Sequence, residues 1–248
     1  MSVLLLRANR NEHDAEALRA RGLNVVIDPY LQVTQVDNPD GAARLLQELE
    51  TTADWLVVTS INALHYWSEQ VPPGSIQSAL ASRSGLRVGA IGEATAEAVR
   101  AFGANEVVTP GEGTSRVLAE LLADDPPGVV VLPSGSISMR SIPDTLIPQG
   151  FTVIEEVVYR TDIVDIPPLT ADSLEDQGID AVVFRSPSAV RAFHRFHQSL
   201  PANIRLVASG PTTAEALTHA GWSAHATAVS ASPSALADAV VRALADSQ

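Results

Sequence analysis

IEEVVYRTDIVD, residues 154–165, and VVIDPYLQVTQVD, residues 25–37, are the stretches on which the fold turns. Each is rich in Val, Ile, Thr and Tyr, side chains that suit a pleated surface. Each runs about twice the ordinary strand length of ~5–6 residues. Each follows a helical turn that closes on a glycine, LRARG at 18–22 and LIPQG at 146–150. A strand that long starts inside one sheet and finishes outside it. Two of them can pair as a ribbon joining two lobes, and a cleft between lobes is a usual place for a ligand.

Outward from these segments, short apolar runs alternate with helical stretches. Val3–Leu6, Trp55–Val58, Leu86–Ile91, Glu106–Val108, Val129–Leu132, Ala181–Phe184, Ile204–Ala208 and Ala224–Ala228 read as strands. Most are followed by a small polar turn and a helix, a pattern that predicts an α/β protein with parallel sheets. The chain also repeats itself. VVTSINALHYW (57–67) matches VVFRSPSAVRAF (182–193), and IGEATAEAVRAFG (91–103) matches SGPTTAEALTHAG (209–221). The ten strands therefore divide into two groups of five. A contiguous division at Asp124–Gly128 is one arrangement. The two overlong strands favour a crossed one, with residues 1–34 and 166–248 in one lobe and 38–158 in the other. The linker strands then run over about 28–37 and 156–165.

Composition excludes several classes of function. The 248 residues are 46% hydrophobic and 18% charged, enough for a sizeable core. With no cysteine there are neither disulfides nor thiolate ligands. The apolar run before Arg7 is too short for a signal peptide, and no later stretch approaches a membrane span. A soluble cytoplasmic protein is expected. A net charge of −13 without a run of basic residues excludes a nucleic-acid surface.

The recurring local feature is a strand end, a small Ser/Thr/Gly turn and a helix start. It occurs at Thr59-Ser60-Ile61-Asn62, Gly92–Thr95, Gly113–Ser115, Ser134–Ser138, Ser186–Ser188, Gly210–Thr213 and Ser232–Ser234. Ser, Thr and Asn are good N-caps, and capping alone accounts for most of them. All of them nevertheless fall at the carboxyl ends of strands, the ligand-binding edge of open α/β sheets. Free amides there suit carboxylates. The candidate contacts are accordingly Thr59, Ser60 and Asn62; Gly92 and Thr95; Ser134 and Gly135; Ser186 and Ser188; and Gly210 and Thr212. Arg7, Arg10 and Arg140 join them, being placed at or just after strand ends, where an ordinary surface ion pair is the competing role; Arg185 shares that placement.

No nucleotide fingerprint or HExxH is present. His194-x-x-His197 sets two imidazoles on one helical face, but the flanking Arg191 and Arg195 mark that face as solvated, so no metal is expected. Tyr159 lies midway along a crossing strand. It is either a half-buried strand residue or a phenol able to donate a proton into the cleft.

Taken in order, LLLRA, LRARGLNVVIDPYLQV, WLVVTSINAL, VGAIGEATAEAVRAFG, VVYRTD, VVFRSPSAVRAF, VASGPTTAEALTHAG and SPSALADAV resemble the uroporphyrinogen-III synthase family over nearly the whole chain. The resemblance implies two flavodoxin-like lobes, each a five-stranded parallel sheet with flanking helices, in the crossed arrangement and joined by a two-stranded antiparallel linker. It implies a cofactor-free lyase that closes a linear tetrapyrrole polycarboxylate, hydroxymethylbilane, while inverting ring D. Backbone amides would hold the carboxylates, and Tyr159 would be the acid that assists loss of the hydroxyl. No nucleic-acid or membrane partner is implied, and a monomer is expected. Arg185 before Ser186, Asn9-Arg10 after the first arginine and the Pro133–Arg140 turn depart from the family's usual pattern. A non-catalytic tetrapyrrole- or anion-binding regulatory module of the same fold is therefore the alternative. The retained Tyr159 favours the enzyme.

Overall fold

A computed structural model of the chain describes residues 1–9, 11–110, 114–137 and 140–245. In chain order the elements are β1 (Ser2–Leu5), α1 (Glu12–Arg19), β2 (Asn24–Ile27), β3 (Leu31–Gln35), α2 (Pro39–Thr51), β4 (Trp55–Val58), α3 (Ile61–Ser68), α4 (Ser75–Ser82), β5 (Arg87–Ala90) and α5 (Glu93–Ala101). They continue with β6 (Val107–Val108), α6 (Ser115–Ala123), β7 (Val129–Gly135), α7 (Ser141–Leu146), β8 (Thr152–Ile163), β9 (Ile179–Phe184), α8 (Pro187–Phe196), β10 (Arg205–Ala208), α9 (Pro211–His219), β11 (Ala226–Thr227) and α10 (Pro233–Ala245). The chain divides into two compact units, Met1–Val33 with Asp162–Gln248 and Thr34–Thr161.

The first unit holds a sheet ordered β11-β10-β9-β1-β2, parallel throughout. In the second, β6-β5-β4-β7-β8 is likewise parallel, with β3 added beside β8. Set side by side, the two parallel orders correspond position by position: β11 with β6, β10 with β5, β9 with β4, β1 with β7, and β2 with β8. The sequence repeats fall on this correspondence, 57–67 and 182–193 beginning on the central pair β4 and β9. The two sheets share one layout, entered by the chain at different strands.

Parallel strands covered on both faces must be apolar on both. Leu56, Val58 and Val131 face α2, α3 and α5, whereas Trp55, Val57 and Val130 face α6 and α7. In the first unit Leu4, Val182 and Leu206 face α8 and α9, and Val3, Val183 and Val207 face α1 and α10.

The structure corrects three expectations and adds one helix. The stretch 25–37 is two strands rather than one, because Pro29 has no amide for a ladder and Asp28-Pro29-Tyr30 breaks the run. Only β8, at 12 residues, is a continuous long strand. The second sheet has six strands because β3 joins it, antiparallel to β8, with bonds from the Val36 amide to the Val158 carbonyl and from the Val164 amide to the Tyr30 carbonyl. β7 runs through Pro133 to Gly135, where a turn was expected. α4 is a helix that the sequence reading left unassigned.

If β7 and β8 complete the second sheet, a fragment of residues 34–161 is expected to unfold in one cooperative urea transition. A fragment ending at residue 124 lacks both strands and is expected to show none. Circular dichroism of the two fragments checks this, and the reverse result would restore a contiguous division.

Candidate active site

In the second unit four neighbouring strand ends, in the order β8-β7-β4-β5, carry the residues singled out by sequence. Tyr159 stands at the carboxyl edge beside Gly135, the last residue of β7 and its partner in the ladder. The register slips there: Ser134 faces Val157 but Gly135 faces Tyr159, so β8 carries one extra residue, Val158. A bulge re-aims the side chains that follow it. Val158 and Tyr159, which strict alternation would send to opposite faces, both lie against the core beneath α2 and α3. A Cβ on Gly135 would stand 2.5 Å from Tyr159 Cζ and 2.8 Å from its hydroxyl oxygen. The close approach of ring to backbone therefore requires glycine. The ring is also stacked with Tyr66 of α3, at a centroid distance of 6.1 Å and an interplanar angle of 22°. The Tyr159 carbonyl accepts from the Ser136 amide at 2.9 Å.

The hydroxyl turns separate into two kinds. Ser60 caps α3, accepting from the Asn62 amide at 3.2 Å, and Ser186 caps α8, accepting from the Ala189 amide at 3.3 Å and bonding the Ser188 hydroxyl at 2.8 Å. For Ser60, Asn62, Ser186 and Ser188 capping is thus what the structure shows; Thr59 is half-buried just before that cap. Gly92 and Gly210 begin α5 and α9 with no side-chain cap. The first amides of a helix have no acceptor within it, so these two turns offer donors and a favourable dipole to an anion. Gly92 sits at φ +76° with no atom within 4 Å of a built Cβ, a glycine conformation facing open space.

Several candidates lie elsewhere than expected. Thr95 is buried on the inner face of α5, as its repeat counterpart Thr213 is on α9, because each is the third residue of its helix; Thr212 is exposed. Ser134 is buried in β7 and donates to the Glu156 carbonyl at 3.4 Å. Arg140 is exposed and lies 3.5 Å from Asp144, one helical turn away. Arg10 falls outside the described residues. Arg7 stands 4.0 Å from Asp14. Asp14 is buried, and Arg185 grips it with Nε at 2.8 Å and with Nη2, while Nη1 donates to the Ala231 carbonyl at 2.6 Å. Arg185 thus ties the end of β9 to α1 and to the segment before α10, which gives this departure from the family pattern a structural role. Tyr66 was not found from sequence, since a contact between α3 and β8 leaves no local signal.

Two compact units, each a largely parallel sheet with helices on both faces and a glycine turn at the start of a helix on its carboxyl edge, define a two-unit α/β protein. The family model for uroporphyrinogen-III synthase HemD matches residues 12–238, and the chain belongs to the uroporphyrinogen-III synthase family, and so to porphyrin and haem biosynthesis. In fold it is similar to a substituted uroporphyrinogen III synthase from the extremely thermophilic bacterium Thermus thermophilus, at 19% identity over 99% of each chain and a TM-score of 0.62. It is also similar to the uroporphyrinogen-III synthetase of Helicobacter pylori, at 17% identity over 97% of this chain and 98% of that one, with a TM-score of 0.62. No helix among the described residues is long and apolar enough to cross a membrane.

A second polar cluster lies in the first unit. Tyr30 is fully buried; its hydroxyl is 2.9 Å from Thr170 Oγ1 and 2.7 Å from His197 Nε2. Thr170 donates its amide and its hydroxyl to Asp28 Oδ2, at 2.7 and 2.8 Å. Counting protons orders the chain: the Thr170 proton goes to Asp28, the Tyr30 proton to Thr170, and His197 Nε2 donates to Tyr30. Burial pushes the Tyr30 phenol well above its ordinary value and the His197 imidazole below its own. His194, the other half of the expected pair, instead lies against Trp222 with ring centroids 5.0 Å apart.

His197 and His225 both bind a proton less tightly folded than unfolded, through burial and, for His225, the neighbouring Arg205 charge as well. Unfolding below about pH 6.5 therefore takes up protons, and stability falls as pH drops through the unfolded value toward the lower folded ones. The melting temperature is expected to decline on acidification from pH 7 to 5, and His197→Gln to flatten that slope. An unchanged slope in the variant would contradict this assignment.

Proposed function

We propose that this chain is a cofactor-free cyclising lyase that converts hydroxymethylbilane to uroporphyrinogen III with inversion of ring D. The observation that carries this reading is the family match over residues 12–238. It favours the enzyme over a non-catalytic module of the same fold. The reaction asks for little beyond a weak acid and a fixed geometry. The carbon–oxygen bond of the hydroxymethyl group breaks with its electron pair going to oxygen, and the electron-rich pyrrole stabilises the cation left behind. A phenol proton turns the departing hydroxide into water. Tyr159 is the residue we assign to that step, supported by its place at the carboxyl edge of the sheet, where Gly135 and Tyr66 fix its ring.

The harder task is conformational: ring D must attack through its substituted carbon. That is positioning catalysis, and the amides at the glycine-capped start of α5, in the same unit as Tyr159, are groups we assign to substrate carboxylates. Hydrogen bonds to charged groups contribute about 1.5–3 kcal/mol each, and micromolar binding corresponds to about −8.2 kcal/mol. Several such contacts suffice even after association costs. The chain's acidity acts at longer range, where salt screens it beyond about 8 Å.

We further propose that both units are flavodoxin-like. The order β2-β1-β9-β10-β11 reads 2-1-3-4-5 when its strands are numbered along the chain, the flavodoxin order, and β8-β7-β4-β5-β6 is its circular permutation. Lobe boundaries at 1–34 with 166–248 and at 38–158, a monomeric state and a cytoplasmic location complete the proposal.

Purified protein given hydroxymethylbilane without added metal or nucleotide is expected to yield predominantly the type III isomer. Type I product at the uncatalysed rate would sink the reading and revive the non-catalytic one. Tyr159→Phe keeps the ring and removes the proton. It is expected to slow turnover about tenfold to a hundredfold, leave the melting temperature nearly unchanged and still give type III. A normal rate in this variant would remove the acid role from Tyr159 while leaving the activity itself intact.

A further inference from the structure

We propose that the outer groove of α8 and α9 is a binding site for a small ligand with a flat apolar body and at least two carboxylates. The groove is open to solvent, offers about 540 Å³ and is lined by Arg191, His194 and Arg195 from α8 and by Ala216, His219 and the capping Ala220 from α9. That volume lies within the ~300–1,000 Å³ of small-molecule sites. The alanines give it an apolar floor, and the charged and imidazole side chains rim it. α8 and α9 follow neighbouring parallel strands and start at their carboxyl ends. Arg191 is already a turn inside α8, and Arg195 and His219 lie in the last turns, so the groove stands away from the strand-end turns. It does not depend on the reaction assigned to them.

The charge balance calls for an anion, and two separate guanidinium groups call for two carboxylates on it. Arg191 and Arg195 are one turn apart on one face. Among the described residues eight other arginines stand in ion pairs with carboxylates. Arg191 and Arg195 do not, although the chain carries 29 acidic side chains. Arg195 instead lies over the Phe196 ring, 5.7 Å from its centroid. Basic residues in a last helical turn also answer the helix dipole, but each helix end amounts to only about half a charge. Two such ends leave about one positive charge of the two guanidinium groups unanswered. A lone carboxylate would meet that charge, whereas a diacid can face each guanidinium separately and lay its body on the alanine floor. His194 is held against Trp222, which keeps one side of the rim in place.

The probe is isophthalate, two carboxylates on one flat ring, titrated into the full chain and followed by amide NMR, with neutral isophthalamide as the control. The expected result is saturable perturbation confined to α8 and α9 with a Kd below about 1 mM. Isophthalamide should produce none. R191Q with R195Q keeps most of each side-chain stem, should melt like the parent, and should weaken isophthalate binding at least about tenfold. Absence of saturation by isophthalate, perturbations centred elsewhere, equal binding of the diamide, or undiminished affinity in the double variant would each overturn the proposal.

Discussion

A missing methyl group governs the candidate chemistry of this molecule. Tyr159 can lie over the end of β7 only because residue 135 has no Cβ, and it points there only because β8 carries Val158 as an extra residue. Without the bulge, alternation would send Val158 and Tyr159 to opposite faces of the sheet. Without the glycine, the ring would meet a side chain at less than van der Waals distance. Tyr66 stacks with the same ring. A phenol in close contact with the backbone at Gly135 and stacked with a second ring is restrained in the way the proposed positioning catalysis requires.

The same strand serves the fold. β8 completes the parallel sheet of the second unit against β7, pairs with β3 on its other edge, and carries the chain across the boundary at Thr161 and Asp162. The outward passage is made within β3, at Val33 and Thr34, just after Asp28-Pro29-Tyr30, where a proline stops one ladder before β3 begins the next. The side chains released by that break are not idle. Asp28 and Tyr30 are drawn into the buried network with Thr170 and His197, which anchors the exit from the first unit. Identical sheet layouts, entered at different strands, explain how repeats separated by more than a hundred residues describe corresponding pieces of two units.

Much of this was legible in the sequence. Buried parallel strands write continuous apolar runs, and Trp55–Val58 was bounded to the residue. Glycines after helices and Ser or Gly turns before them marked most element ends. What misled was composition without geometry. Residues 25–37 have strand-forming side chains throughout, yet one proline decides the break. Pro133-Ser134-Gly135 has turn composition, yet it extends β7, because Ser134 can satisfy its hydroxyl on the Glu156 carbonyl. Thr95 looked like part of a ligand turn, yet the helix has already begun and turns it inward. Arg185 looked atypical until Asp14, far away in sequence, supplied its partner. The pairing of Arg191 and Arg195 with His219 was invisible for the same reason: α9 brings His219 to the groove from a different segment.

The most direct measurement of the central claim is the turnover of Gly135→Ala, compared with its melting temperature. The added Cβ forces the Tyr159 ring from its seat at an overpacking cost of about 1–3 kcal/mol, which a folded protein of this size survives. If Tyr159 is the acid and Gly135 places it, the folded variant should lose about tenfold to a hundredfold in rate, and the same substitution in the Tyr159→Phe background should cost little more. A folded Gly135→Ala protein turning over at the parent rate would contradict the account.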